Sequence, residues 1–272
     1  MRRGLDTVAM RIALALEYDG SAFCGWQSQM SACGVQDALE RALTGIAAAP
    51  VSVVAAGRTD AGVHAVSQIV HFETQAVRPA TAWVRGVNAL LPPTASVLWS
   101  CDVGDDFHAR FAATMRHYTY ILMTRGARPA LLARHAGWYH HPLDVDAMRA
   151  GAAALAGTHD FSAFRAAECQ AKSPVKTLAA VSIGGDDRIV RFDFSANAFL
   201  HHMVRNIVGS LVYVGAGREP PGWIGDLLAA RDRRKAAPTF AANGLYLAGA
   251  DYDARFGLPP TRRAVTLTLP YV

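Results

Sequence analysis

Lysine is scarce: only three of the 27 basic residues are lysine (Lys172, Lys176 and Lys235), and the rest are arginine. That excludes a surface of compact, strongly hydrated ammonium charges and leaves planar guanidinium forks, which suit phosphates and stack on bases. Abundant Ala and Gly give the same bias a second origin in base composition, so the net charge of +5 decides nothing alone. Cysteine is also rare. Cys24, Cys33, Cys101 and Cys169 are scattered without C-x-x-C spacing, so neither a disulfide framework nor a cysteine zinc site is expected. No apolar run is long enough to span a membrane. The opening MRRGLDTVAMR lacks a secretory apolar segment, and the expectation is a cytoplasmic chain with no membrane partner. The histidines, His64, His71, His108, His117 and the pair His201-His202 among them, show no HExxH or comparable ligand spacing, so no metal is expected.

What is present is apolar: 51% of 272 residues, enough for one large core or two modest ones, and two domains are expected, 1–112 and 113–272. In the first, Ile12, Leu14 and Leu16 alternate as a strand. Val35, Ala38, Leu39, Ala42, Leu43 and Ile46 follow at helical spacing, then strands at 51–56 and 67–74, a helix through Trp83 and Val87 that stops at Pro92-Pro93, and a strand at 97–103. The second half repeats this order: a strand through Tyr118, Tyr120 and Leu122, a helix from Asp144, strands near 178–183 and 188–196, a long helix at 199–214, a short one after Pro220-Pro221, and the strand LYLAGA. Two β-α-β-β-α-β halves imply an α+β protein built from two ferredoxin-like units. The expected architecture joins them into one mostly antiparallel sheet, with helices on one side and a central active-site cleft.

Two features carry the chemistry. In AAGRTDAGVHA, a single acid, Asp60, lies between Gly57 and Gly62. The glycine spacing is that of a phosphate loop, but Val63-His64 stand where Lys-Ser/Thr is required, which removes that reading. A turn-forming Asx residue or a helix cap remains open for Asp60. The other feature is the helix expected at 199–214, with apolar rows Phe199, Met203, Ile207, Leu211 and Leu200, Val204, Val208, Val212, leaving His201, His202, Arg205 and Asn206 on the remaining arc. A helix so apolar is buried, and a buried guanidinium requires a carboxylate or phosphate partner. Asp60 is a candidate for that partner, and pairing would keep it ionised. The alternative is an Arg205 that snorkels to solvent. Tyr118 is a core aromatic unless the substrate passes over it.

With five motifs in order, ALEYDGSAFCGWQSQ, AAGRTDAGVHA, FHARFAATMRHYTYIL, THDFSAF and NAFLHHMVRNIVGSL, the chain resembles the bacterial TruA family of tRNA pseudouridine synthases from about residue 12 to its end. It departs at PTFAANGL, where Phe240 and Ala242 replace a usual Thr-Ala-Pro-Ala pattern. The resemblance implies a cofactor-independent isomerase that converts uridine to pseudouridine at positions 38, 39 and 40 of the tRNA anticodon stem-loop, working as a homodimer. Asp60 then matches the catalytic aspartate, acting as nucleophile or base. Tyr118 matches the active-site tyrosine, Arg205 the basic partner of the acid, and Arg58 a residue that binds and displaces the target nucleotide. Gly57 and Gly62 would let the RNA backbone approach the turn. His64, His202 and Asn206 complete the expected substrate-binding set. Two other classes compete: a non-catalytic RNA-binding protein, and a small-molecule nucleoside enzyme.

Overall fold

A computed structural model describes residues 9–186 and 188–266; the first eight residues, with most of the MRRGLDTVAMR stretch, lie outside them. The protein is α+β, with ten strands, mostly antiparallel, and five α-helices among the described residues. It divides into two compact units. One comprises Met1–Ala61, Ala65–Thr114 and Gly249–Arg263, the other Gly62–His64, Met115–Ala248 and Ala264–Val272. Among the described residues no helix is long and apolar enough to cross a membrane.

The first unit runs β1 (Met10–Tyr18), α1 (Val35–Ala47), β2 (Val53–Ala55), β3 (His64–Thr74), a helical turn Ala82–Gly86 continuing into α2 (Val87–Leu90), and β4 (Ala95–Val103). β1 lies between β3 and β4, with Leu14 opposite Val70 and Ser100. α1 buries Val35, Leu39, Ala42 and Leu43 of the stripe its periodicity predicts, with Ala38 and Ile46 half-buried and Ala47 buried beyond it, and Asp37 accepts the Gly34 N–H at 2.9 Å to cap its start. One expectation is corrected in β1. Ile12, Leu14 and Leu16 are buried, but so are the alternate Ala13 and Ala15. Their small side chains leave room for Phe107, Ala109 and Ala250 to cover the second face.

His71 on β3 is part of that second layer: it is buried, and its Nδ1 accepts the Ala109 N–H at 3.1 Å. Burial first, then the neighbouring His108 and Arg11 charges, pushes His71 down from 6.5 to about 4. The unfolded chain therefore takes up a proton that the folded chain refuses. This contribution is complete above the unfolded value and is lost as pH falls from about 6.5 towards 4, by no more than about 3 kcal/mol. Thermal melts at pH 7.5 and 4.5 will show the loss in the wild type, and His71→Gln will flatten it.

The second unit runs β5 (Met115–Thr124), β6 (Gly137–Tyr139), α3 (Val145–Ala152), β7 (Gly157–Asp160), β8 (Val175–Gly185), β9 (Ile189–Ala196), α4 (Met203–Gly215), α5 (Trp223–Ala230) and β10 (Leu245–Asp251) as far as Ala248. β5 pairs with β9, Tyr118 opposite Phe194 and Tyr120 opposite Phe192, and β8 and β7 extend the sheet from β9. α3 starts at Asp144, whose carboxylate accepts the Ala147 N–H at 2.8 Å. α4 is almost wholly buried, as its composition predicts, but it begins at Met203 rather than 199. His202 sits at φ 61°, a left-handed conformation that an α-helix cannot continue through. Phe199, Leu200, His201 and His202 thus form the turn leading into α4 instead of its first turn.

Candidate active site

The Asp60 loop is the connection from β2 to β3, strands paired with Val53 opposite Phe72 and Ala55 opposite Val70. Ala56 N–H extends this pairing to the Ile69 carbonyl at 2.8 Å, after which the chain turns through Gly57-Arg58-Thr59-Asp60. Neighbours on the same unit hold that turn by its backbone and by Thr59. Gln68 on β3, fully buried, donates its Nε2 to the Gly57 carbonyl at 2.7 Å. The Trp26 N–H reaches the Thr59 carbonyl at 2.9 Å, and the Tyr18 hydroxyl pairs with Thr59 Oγ1 at 2.9 Å. Burial pushes the Tyr18 phenol up to about 12 against the lowering effect of Thr59, so it stays protonated at any working pH. Arg58 is exposed and Asp60 half-buried, while Thr59 between them is buried. The loop therefore turns its structural residue inward and presents the two residues with candidate chemistry outward.

Gly25 makes this packing possible. At φ +100°, a Cβ on it would lie 2.9 Å from the Thr59 carbonyl oxygen and 3.1 Å from the Ala61 nitrogen. Only a residue without a side chain lets the segment before Trp26 approach the Asp60 loop so closely. Beyond Gly62, at φ +79°, His64 is buried, its Nε2 2.8 Å from the Arg134 carbonyl and its ring stacked on Tyr246 at 4.7 Å.

The segment carrying Gly25 and Trp26 also corrects the reading of the cysteines: Cys24 and Cys33 form a disulfide, their Cα atoms 5.4 Å apart. Composition could not reveal it, because what aligns the two is a backbone bond, Cys24 N–H to the Cys33 carbonyl at 3.0 Å, followed by Val35 N–H to Gly25 at 3.1 Å. The free cysteines are Cys101 and Cys169. Protein unfolded without reductant will titrate two thiols with Ellman's reagent, and four after reduction. Four in both samples would remove the cross-link.

On the second unit, Tyr118 lies on β5, 9% exposed, with the ring of Phe199 edge-on at 5.0 Å. Arg205 is in the first turn of α4, half-buried. Its Nε donates to the Phe240 carbonyl at 2.9 Å and its own carbonyl accepts the Phe240 N–H at 3.2 Å. Gly209 allows that approach, since a Cβ there would meet the Pro238 carbonyl at 2.4 Å. Both bonds use the main chain of residue 240, so the unusual Phe240 side chain leaves them intact; its ring packs against Tyr120 at 5.9 Å. His202 packs against the exposed His201, ring centroids 4.0 Å apart and planes tilted by 37°. Asn206 is fully buried, donating to the Phe164 carbonyl at 2.8 Å and accepting from Thr239 at 2.7 Å and Arg233 at 3.0 Å. Asn206 thus has its side-chain amide, and His64 its Nε2, engaged by main-chain and side-chain partners of the fold. The sequence reading missed Tyr18, Gly25, Trp26 and Gln68; the only signal was the glycine in the AFCGWQ loop.

Comparison with known proteins is consistent along the chain. A family model described as tRNA pseudouridine synthase matches residues 14–112 and 152–253. The tRNA pseudouridine synthase A of Chromobacterium violaceum is 60% identical over 261 residues, 96% of this chain and 100% of that protein. Those of Nitrosomonas eutropha and Methylobacillus flagellatus are 58% and 57% identical over 250 and 258 residues, covering 92% and 95% of this chain and 90% and 99% of theirs.

Proposed function

The chain belongs to the tRNA pseudouridine synthase family, isomerases that convert uridine to pseudouridine in tRNA, and from that premise we propose that it modifies positions 38, 39 and 40 of the anticodon stem-loop with Asp60 as nucleophile or base. The observation that carries this reading is the Asp60 loop: a half-buried carboxylate, the single acid of its motif, on a turn fixed through its backbone and Thr59. The reaction breaks N1–C1′, rotates the uracil and rejoins it through C5, the C5 proton being replaced by one on N1. Composition and oxidation state do not change. One carboxylate, with no second acid in its motif, suits attack on the ribose or base, or removal of a sugar proton, better than the paired acids of a hydrolase.

A stacked base cannot rotate, so the target nucleotide must leave the helix at a cost of a few kcal/mol, offset by new contacts. We assign the stacking face to Tyr118, the displacement of the nucleotide to the exposed Arg58, and the role of basic partner of the acid to Arg205. His202 reaches the substrate in this reading, and Gly57 and Gly62 admit its backbone. The segment 1–112 supplies the acid and 113–272 the tyrosine and arginine. We further propose that the enzyme is cytoplasmic and works as a homodimer.

Carbodiimide labelling and primer extension on treated tRNA test the assignment. Stops diagnostic of pseudouridine are expected at 38, 39 and 40, and free uridine and UMP should remain unchanged. Stops confined to another arm would overturn the position, and turnover of free uridine would move the chain among small-molecule nucleoside enzymes.

A further inference from the structure

Single apolar side chains on a surface need no explanation. Phe111 is different, because the structure under it is built. Its ring is 76% exposed, yet its inner face stacks on the His108 imidazole at 4.3 Å, with the planes 27° apart. His108 rests in turn on the buried His71 at 4.8 Å. The backbone is fixed at each step. His108 Nδ1 accepts the N–H groups of both Arg110 and Phe111 at 3.2 Å, and its carbonyl accepts the Ala112 N–H at 2.9 Å. Ala109 is held between His71 Nδ1 at 3.1 Å and the Tyr252 hydroxyl at 2.6 Å, while Arg11 donates to the Phe107 carbonyl at 2.9 Å. Burial lowers both imidazoles below the usual histidine value, which keeps the column uncharged at neutral pH. The Arg110 guanidinium lies over the ring, 5.6 Å from its centroid.

A largely exposed aromatic supported from beneath by His108, with an arginine against its ring, is what a nucleotide recognises: the base has a flat π-face and the adjoining phosphate is anionic. We propose that the outer face of Phe111 is a stacking platform for an unstacked base of the tRNA substrate, with Arg110 holding the neighbouring phosphate. The ring is positioned before binding, so no side-chain ordering is charged against the stack. The platform rests on tRNA as substrate and adds a contact outside the Asp60 loop.

Phe111→Ala, Phe111→Leu, Phe111→Trp and Arg110→Gln test it in filter binding to a tRNA transcript across a salt series, with kcat and KM measured alongside. Phe111→Ala and Phe111→Leu should both weaken binding and raise KM by about fivefold to a hundredfold, the factor a base-on-aromatic stack is worth, with kcat maintained. Phe111→Trp should bind as the wild type does. Arg110→Gln should reduce the slope of log affinity against log salt by about one. Wild-type affinity in Phe111→Ala, or rescue by Leu, which is apolar but not planar, would overturn the platform. A Phe111→Ala chain that changed oligomeric state in sedimentation without losing tRNA affinity would instead assign this face to a second copy. A wild-type chain that bound no tRNA would overturn the substrate and the platform together.

Discussion

Asp60→Asn and Asp60→Ala will lose pseudouridine formation by a factor on the order of ten thousand or more, while tRNA binding stays largely intact. Losses of that size follow removal of a group that forms or breaks bonds in the reaction, and they greatly exceed what a missing binding contact costs. Asn has the shape of Asp and lacks only the charge and the nucleophilic oxygen pair. The loop itself should not collapse in either variant. The bonds that hold it at the Gly57 carbonyl, the Thr59 carbonyl and Thr59 Oγ1 remain in either variant. A fall in turnover in these variants therefore reports chemistry. Filter binding alongside primer extension separates the two quantities, and an Asp60→Asn enzyme with normal turnover ends the assignment.

The second large effect comes from a residue with no functional group. Gly25→Ala places a methyl 2.9 Å from the Thr59 carbonyl oxygen and asks alanine to adopt φ +100°. Either the Gly25 segment withdraws, breaking the Trp26 bond to Thr59, or the Asp60 loop moves. A displacement of about 1 Å at a reacting group costs on the order of a hundredfold in rate, so kcat should drop by about that factor, and the melting temperature should fall because strained backbone costs about 1–3 kcal/mol. Gly126→Ala, with nothing within 4 Å of its Cβ, is the control and should change neither. A fully active Gly25→Ala enzyme would show that the loop tolerates movement and that its rigid support is not required.

How far the sequence reveals this arrangement depends on how local each interaction is. α1 is legible because Val35, Leu39, Ala42 and Leu43 recur on one face. α3 is legible because Asp144 caps it, and α5 because Pro220-Pro221 precede it. β6 and β7, of three and four residues, carry too little pattern to show, and they exist by pairing with β5 and β8. The start of α4 is misplaced because an apolar period cannot report the left-handed φ of His202. Asp60 is visible because a carboxylate between glycines is unusual in itself. Its supports are not, since Tyr18 and Thr59 are 41 residues apart and the Trp26 N–H likewise reaches the Thr59 carbonyl from a separate segment. The burial of Asn206 and His64 is hidden for the same reason: their partners, Phe164 for Asn206 and Asn243 for His64, come from distant segments.

The most direct measurement is a single-turnover reaction with enzyme in excess over tRNA, so that every substrate molecule is bound and only the chemical step is timed. The wild type should convert its target uridines, and Asp60→Asn, at the same occupancy, should leave them as uridine. Pseudouridine appearing in the Asp60→Asn complex at the wild-type rate would contradict the claim that this carboxylate does the chemistry.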